Sequence, residues 1–286
     1  MTVTPELARS TWKAVEPLHA MIYFVPEGQE EYAALGYDVK GNRAAGYFPA
    51  RAAALGPVGP DVVEATFYNW SRLAVEFGMA GAWETASPQQ VLDARLRAVD
   101  RALRRLCGDL LESPDVAEAA ELARTASTGC VPYGRPLYAA NAGLDWPDTP
   151  HLALWHAQTL LREFRGDGHL AALVVEGLSG LESAVVHVAV GDSWLRRGLQ
   201  KTRAYSDEQW DDAVAELARR GWLNEDGTFT DEGRARRQRI EERTDELSVS
   251  AYAALGEDGC ARLAELAAPL TAAVVEGGGY PLPASR

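Results

Sequence analysis

Along most of this chain apolar residues recur at intervals of three and four, the spacing that gathers them on one side of an α-helix. Val91, Ala94, Leu96, Ala98, Val99, Ala102, Leu103 and Leu106 form one such stripe. Leu152, Trp155, Thr159, Leu160 and Glu163 occupy neighbouring faces of another helix, expected over roughly 149–165 and broken after it by Gly166 and Gly168. Ser87-Pro88 and Ser206-Asp207 read as helix starts, because a seryl oxygen accepts from the free N–H groups of a first turn. Alternating patterns are scarce. Residues 221–230 alone read as a short hairpin, turning at Asp226-Gly227. The expected fold class is mainly α with a small β component.

The pattern also repeats. Residues 16–20 resemble 135–139, residues 46–56 parallel 166–174, and Ser87-Pro88-Gln89-Gln90-Val91 parallels Ser206-Asp207-Glu208-Gln209-Trp210, each at an offset of about 119–120 residues. A repeat that long implies two similar units within one chain, an intrachain pseudo-dimer. The boundary falls in the loop 128–134, giving an N-terminal unit over 1–130 and a C-terminal unit over 131–286.

Composition narrows the classes. The net charge is −13, which repels nucleic acid and anionic membrane unless a local patch overrides the mean. No apolar run approaches the ~20 residues of a membrane-spanning helix. The first residues lack the basic start and apolar block of a signal peptide, so the chain is expected in the cytoplasm. Cys107, Cys130 and Cys260 stand apart, with no paired spacing, as reduced thiols do.

From Ser206 the chain runs SDEQWDDAVAELARRGWL and then NEDGTFTDEGRARRQRIEERTDEL. This resembles the MarR-like winged helix-turn-helix family over roughly residues 180–247. In that pattern a helix after Ser or Thr ends in an Arg-Gly-hydrophobic turn, a two-stranded wing follows, and an LTxxGR-like segment opens a long helix. Here those parts correspond to residues 218–223, 224–228 and 229–234. The first half would be a degenerate copy without a wing. The whole chain is also similar to an uncharacterised actinobacterial helix-turn-helix family, marked by Leu154-Trp155-His156-Ala157 and by Arg162 to His169.

The resemblance implies DNA binding through the second helix and wing, with small aromatic or phenolic ligands as effectors. The charges run against the first of these. The presumed reading helix carries Asp207, Glu208, Asp211, Asp212 and Glu216 against Arg219 and Arg220 at its far end, and the wing has no cation. Duplex binding depends on neutralising phosphates with Lys and Arg. One stretch argues back: residues 193–205 hold Arg196, Arg197, Lys201 and Arg203 with no acid.

The densest polar cluster is His156, Arg162, Glu163, Arg165, Asp167 and His169. His156 and Glu163 lie two turns apart on one face, and the glycines would let Asp167 and His169 turn back toward them. Such a group serves as salt bridges between helices, as a grip on an anionic ligand through Arg162 or Arg165, or as an acid–base set built on His156, His169 and Glu163. His19, Tyr23, Tyr47, Arg51, Tyr68 and Asn69 occupy related places in the first half; of these Arg51, Tyr68 and Asn69 join the expected ligand site. His187 reads as a core histidine. No HExxH, paired-Cys or repeated-Asp pattern points to a metal, no glycine-rich phosphate loop points to a nucleotide, and the cofactor stays unknown.

The expected function is a winged-helix-derived protein that binds a small organic molecule rather than DNA. The alternatives are a MarR-type regulator contacting DNA through Arg196, Arg197, Lys201 and Arg203, and a protein–protein module docking on its acidic helix. Either a monomer or a homodimer paired through the terminal helix at 260–276 is compatible with these readings.

Overall fold

A computed structural model describes residues 2–189 and 196–281. Among them the chain folds into α1 (Pro5–Ala20), α2 (Pro26–Ala34), α3 (Arg43–Ala52), α4 (Pro60–Phe67), α5 (Arg72–Met79), α6 (Ala82–Thr85), α7 (Pro88–Cys107) and α8 (Pro114–Ser127). The second half adds α9 (Pro136–Ala142), α10 (Pro150–Val175), α11 (Gly180–Ala189), α12 (Arg196–Arg203), α13 (Asp207–Arg219), α14 (Asp231–Glu246), α15 (Val249–Ala253) and α16 (Gly256–Glu276). Seven of these helices open on proline, whose fixed φ suits a first turn that has no N–H bond to lose. No single helix among the described residues is long and apolar enough to cross a membrane.

Both helix starts read from the sequence are capping boxes. Ser87 Oγ accepts from Gln90 N at 3.3 Å while Ser87 N donates to the Gln90 side chain at 2.9 Å. Ser206 and Gln209 repeat the arrangement at 3.1 and 2.9 Å. Each box satisfies two donors that a helix start leaves open.

The hairpin expected over 221–230 does not become a pair of strands. No β-strand is present among the described residues; Leu223 and Phe229 form one isolated antiparallel bridge. Space explains this. Leu223 lies four residues beyond the end of α13, and Thr230, right after Phe229, is already the N-cap of α14. The link is closed locally instead, with Asn224 N donating to Thr228 O at 2.8 Å and Gly227 at φ 80°.

α10 corrects a second expectation. It does not stop near 165 but runs unbroken through Gly166 and Gly168 to Val175. Two interior glycines cost about 1 kcal/mol each in helix propensity. Packing on several sides offsets that cost, since α10 lies against α1, α7, α8, α9 and α14. A Cβ at Gly168 would sit 2.8 Å from Arg135 Nη1 and 3.4 Å from Leu247 Cβ, so a side chain there would have to displace the Arg135 guanidinium.

The central core joins both halves of the sequence. Leu18 of α1, Val99 and Leu103 of α7 and Val116 of α8 pack with Trp155 of α10 and Leu263, Leu270 and Val274 of α16. A second core under α3, α4, α5 and α7 centres on Phe48, Val63, Phe67 and Val75. A third, under α11, α13 and α14, centres on Trp210, Leu217, Trp222 and Ile240.

The two halves also lock at Tyr68. Its backbone adopts φ 57°, and its carbonyl oxygen occupies the place, 2.0 Å away, where a Cβ on Gly180 would reach. The Tyr68 hydroxyl donates to Leu178 O, Ser71 N donates to Arg203 O at 3.2 Å, and Arg203 Nε donates to Asn69 Oδ1 at 3.2 Å.

Candidate functional site

One polar cluster is buried in the centre of the molecule, between α1, α3, α7 and α10. Its anchor is Glu163, only 2% exposed on α10. Arg51 of α3 donates to it through Nη2 at 3.0 Å and Nε at 3.3 Å, and Arg162 Nη1 donates at 2.9 Å. Arg162 reaches on to Glu16 of α1, 3.5 Å away. Burial alone would raise the Glu163 pKa; Arg51 and Arg162 outweigh it and hold the carboxyl well below the usual range. Burial has the opposite result at Glu16, which is raised despite Arg162.

Beside this network His19 stacks on Trp155 with ring centroids 5.5 Å apart. Its Nδ1 lies 3.0 Å from Thr159 Oγ1 and its Nε2 lies 3.0 Å from the Tyr23 hydroxyl. The bonding fixes the tautomer. Thr159 spends its hydroxyl proton on Trp155 O at 3.0 Å, so it must accept from Nδ1–H, and Nε2 then accepts from Tyr23. Burial, reinforced by Arg162, drives the imidazole pKa well below its ordinary value, in agreement with a neutral ring. Burial also pushes the Tyr23 phenol up to about 12. Tyr47 goes the other way: burial would raise it, but Arg51, Arg203 and Arg162 lower it overall.

His19, Tyr23, Tyr47, Arg51, Trp155, Thr159 and Glu163 line a partly open cavity of about 40 Å³, together with Ile22, Gln29, Tyr32, Ala50 and Arg95. That exceeds the roughly 10–15 Å³ that one water requires. Arg95 of α7 donates to Ala50 O at 3.1 Å, in the last turn of α3, and to Asn141 Oδ1 at 3.3 Å.

The cluster expected from the sequence is thus only partly assembled. Arg51, Arg162 and Glu163 come together. The other members leave α10 in different directions, as an unbroken helix turning 100° per residue requires. Arg165 bonds Asp245 at 2.7 Å and lies over Trp12. Asp167 accepts from Tyr138 N at 3.0 Å and so caps the short helix α9; burial raises its pKa to about 6. His169 Nδ1 meets Thr244 Oγ1 at 3.0 Å, and burial lowers its pKa to about 4. His156 packs edge-on against Trp146, its Nε2 buried without a partner, and burial lowers it to about 4 as well. Tyr68 and Asn69 serve the junction between the halves. His187, expected in the core, is exposed near the end of α11.

Sequence reasoning missed Arg95, Gln29 and Tyr32. Arg95 did carry a signal: it falls four residues after Val91 and four before Val99, a cation inside an apolar stripe.

The face expected to meet DNA has a different character. Asp207, Glu208, Asp211 and Asp212 are exposed along α13. Arg196 is held by Asp211 at 2.6 Å, and Arg203 lies over the Trp70 ring at 3.6 Å. Arg197 and Lys201 are exposed, with no ion pair to another described residue. Residues 193–195 of the basic stretch lie outside the described residues.

In comparison with known proteins, the pattern of a helix-turn-helix family fits residues 8–281. No curated protein and no solved structure matches the chain.

Proposed function

The chain belongs to this helix-turn-helix family, and we propose that it binds a small organic molecule in the cavity beside Arg51 and Glu163 rather than reading DNA through α13. The observation that carries this reading is a partly open cavity lined by Arg51, Arg95, Glu163, His19 and Gln29 on one hand and by aromatic rings on the other. Small-molecule sites combine such apolar walls with a few convergent polar groups. The acidic exposed edge of α13 supports the second half of the reading. Neither His156 nor His169 lines the cavity; His19 does, as a neutral ring whose Nε2 already accepts from Tyr23.

In the same proposal residues 1–130 are a degenerate winged-helix-like copy of a MarR-like unit over 131–286, the two paired within one chain. The starts of α4, α7 and α8 at Pro60, Pro88 and Pro114 precede those of α11, α13 and α14 at Gly180, Asp207 and Asp231 by 120, 119 and 117 residues. The matched capping boxes at Ser87 and Ser206 support this register.

A thermal-shift screen of small organic molecules on the wild type and on Ala50→Met tests the site. The methionine fills the cavity, so ligands are expected to raise the melting temperature of the wild type and not of the variant. Equal stabilisation of both proteins would remove the cavity as the site.

Family membership and the exposed Arg197 and Lys201 favour a second reading, a ligand-responsive DNA-binding regulator. It requires duplex affinity that falls steeply with salt and weakens in Arg197→Ala.

A further inference from the structure

The α13 face is grooved as well as acidic. Between α11, α13 and the link after α13 lies an open groove of about 1050 Å³. Val185, Trp210 and Leu223 line it and are at most 3% exposed, so they form its floor. Val188, Val214 and Ala218 line it half-buried, and Ala215 keeps the exposed side of α13 low beside them. No residue of the Arg51–Glu163 cavity takes part, so the two places are separate.

The rim carries carboxylates in excess. Arg196 and Arg219 line the groove, but each is already paired, with Asp211 at 2.6 Å and with Glu216. Glu225 and Asp226 also line it and form no ion pair with another described residue; the same holds for Glu208 and Asp212, exposed on α13. Asp226 accepts from Thr228 N at 2.9 Å and from its hydroxyl at 2.6 Å, a neutral partner. Unpaired carboxylates around an apolar floor repel a phosphate backbone and suit an apolar ridge flanked by cations. The partner's own backbone must be satisfied internally, because no β-strand among the described residues offers an edge to extend. A helix meets that condition and a free extended peptide does not.

We propose that this groove docks a protein partner through a basic amphipathic helix. Its apolar ridge covers Val185, Val214 and Leu223, and its flanking Lys or Arg side chains meet Asp212, Glu225 and Asp226.

Three labelled peptides test it by fluorescence anisotropy with the full chain near physiological salt: LKKLLKLLKKLLKL, the same residues reordered so that no helical face is apolar, and LEELLELLEELLEL. The first is expected to bind at least tenfold more tightly than either of the others. Val214→Glu should weaken it at least tenfold, with circular dichroism reporting an intact helical fold. Asp212→Lys combined with Glu225→Lys alters only exposed side chains and should shift the preference toward the acidic peptide. Equal binding of the reordered peptide would overturn the groove in favour of charge alone. Unchanged affinity in both variants, or no binding by the first peptide, would overturn the proposal outright.

Discussion

Arg51 and Glu163, 112 residues apart in sequence, meet through two hydrogen bonds of 3.0 and 3.3 Å in the centre of the fold. The contact ties α3 to α10 and leaves Glu163 almost without solvent. Removing one member of such a pair strands the other charge. Glu163→Gln is predicted to cost about 3–5 kcal/mol of stability, read as a lower urea midpoint at unchanged slope. Arg51→Met combined with Glu163→Leu should cost less than the two single changes added together.

Acid should destabilise the protein through its buried histidines. His156 and His169 have folded-state pKa values near 4 against an ordinary 6.5. The unfolded chain takes up their protons first, so the stability they confer is present above pH 6.5 and is lost as pH falls toward 4. Each contributes up to about 3 kcal/mol. Asp167 acts in the opposite sense: its pKa is raised to about 6, so its contribution is present below the unfolded value and is lost as pH rises through 6. Denaturation midpoints from pH 7 to 4 should therefore fall, less steeply in His156→Phe and more steeply in Asp167→Asn.

Two glycines should respond to alanine with opposite signs. At Gly180 a Cβ would fall 2.0 Å from Tyr68 O, and Tyr68 is already held at φ 57°. Gly180→Ala is predicted to cost at least about 2 kcal/mol by forcing the junction apart. At Gly166 the nearest atom is Glu163 Oε2 at 3.7 Å, an ordinary contact. Gly166→Ala should gain up to about 1 kcal/mol of helix stability. Melting temperatures of the two variants decide both claims.

Duplex DNA should be held weakly, if the acidic α13 edge governs approach. Arg197 and Lys201 are the exposed cations on α12, so log affinity against log salt should be no steeper than about −2, at 0.9 per phosphate contacted. A filter-binding series on genomic fragments between 20 and 200 mM salt measures the slope. A value of −6 would establish a phosphate-binding surface that the α12–α13 face does not provide.

The helical character and both capping boxes were legible because they depend on local spacing: Ser87 with Gln90 and Ser206 with Gln209 need only three residues of context. The wing and the glycine break were misjudged for a shared reason. Local propensity favours a hairpin at Asp226-Gly227 and a stop at Gly166-Gly168, but the helix ends crowd the first and packing on several sides of α10 overrides the second. The pairing of Arg51 with Glu163 was hidden because nothing in either segment names its partner. Arg95 was visible as a charge within an apolar stripe, yet only the folded chain reveals its hydrogen-bond partners, Ala50 O and Asn141 Oδ1.

Native mass spectrometry of the protein, purified gently from its own host, tests the central claim most directly. The account predicts a discrete added mass that is lost on denaturation and is absent from Ala50→Met. A bare wild-type chain under the same conditions would contradict it.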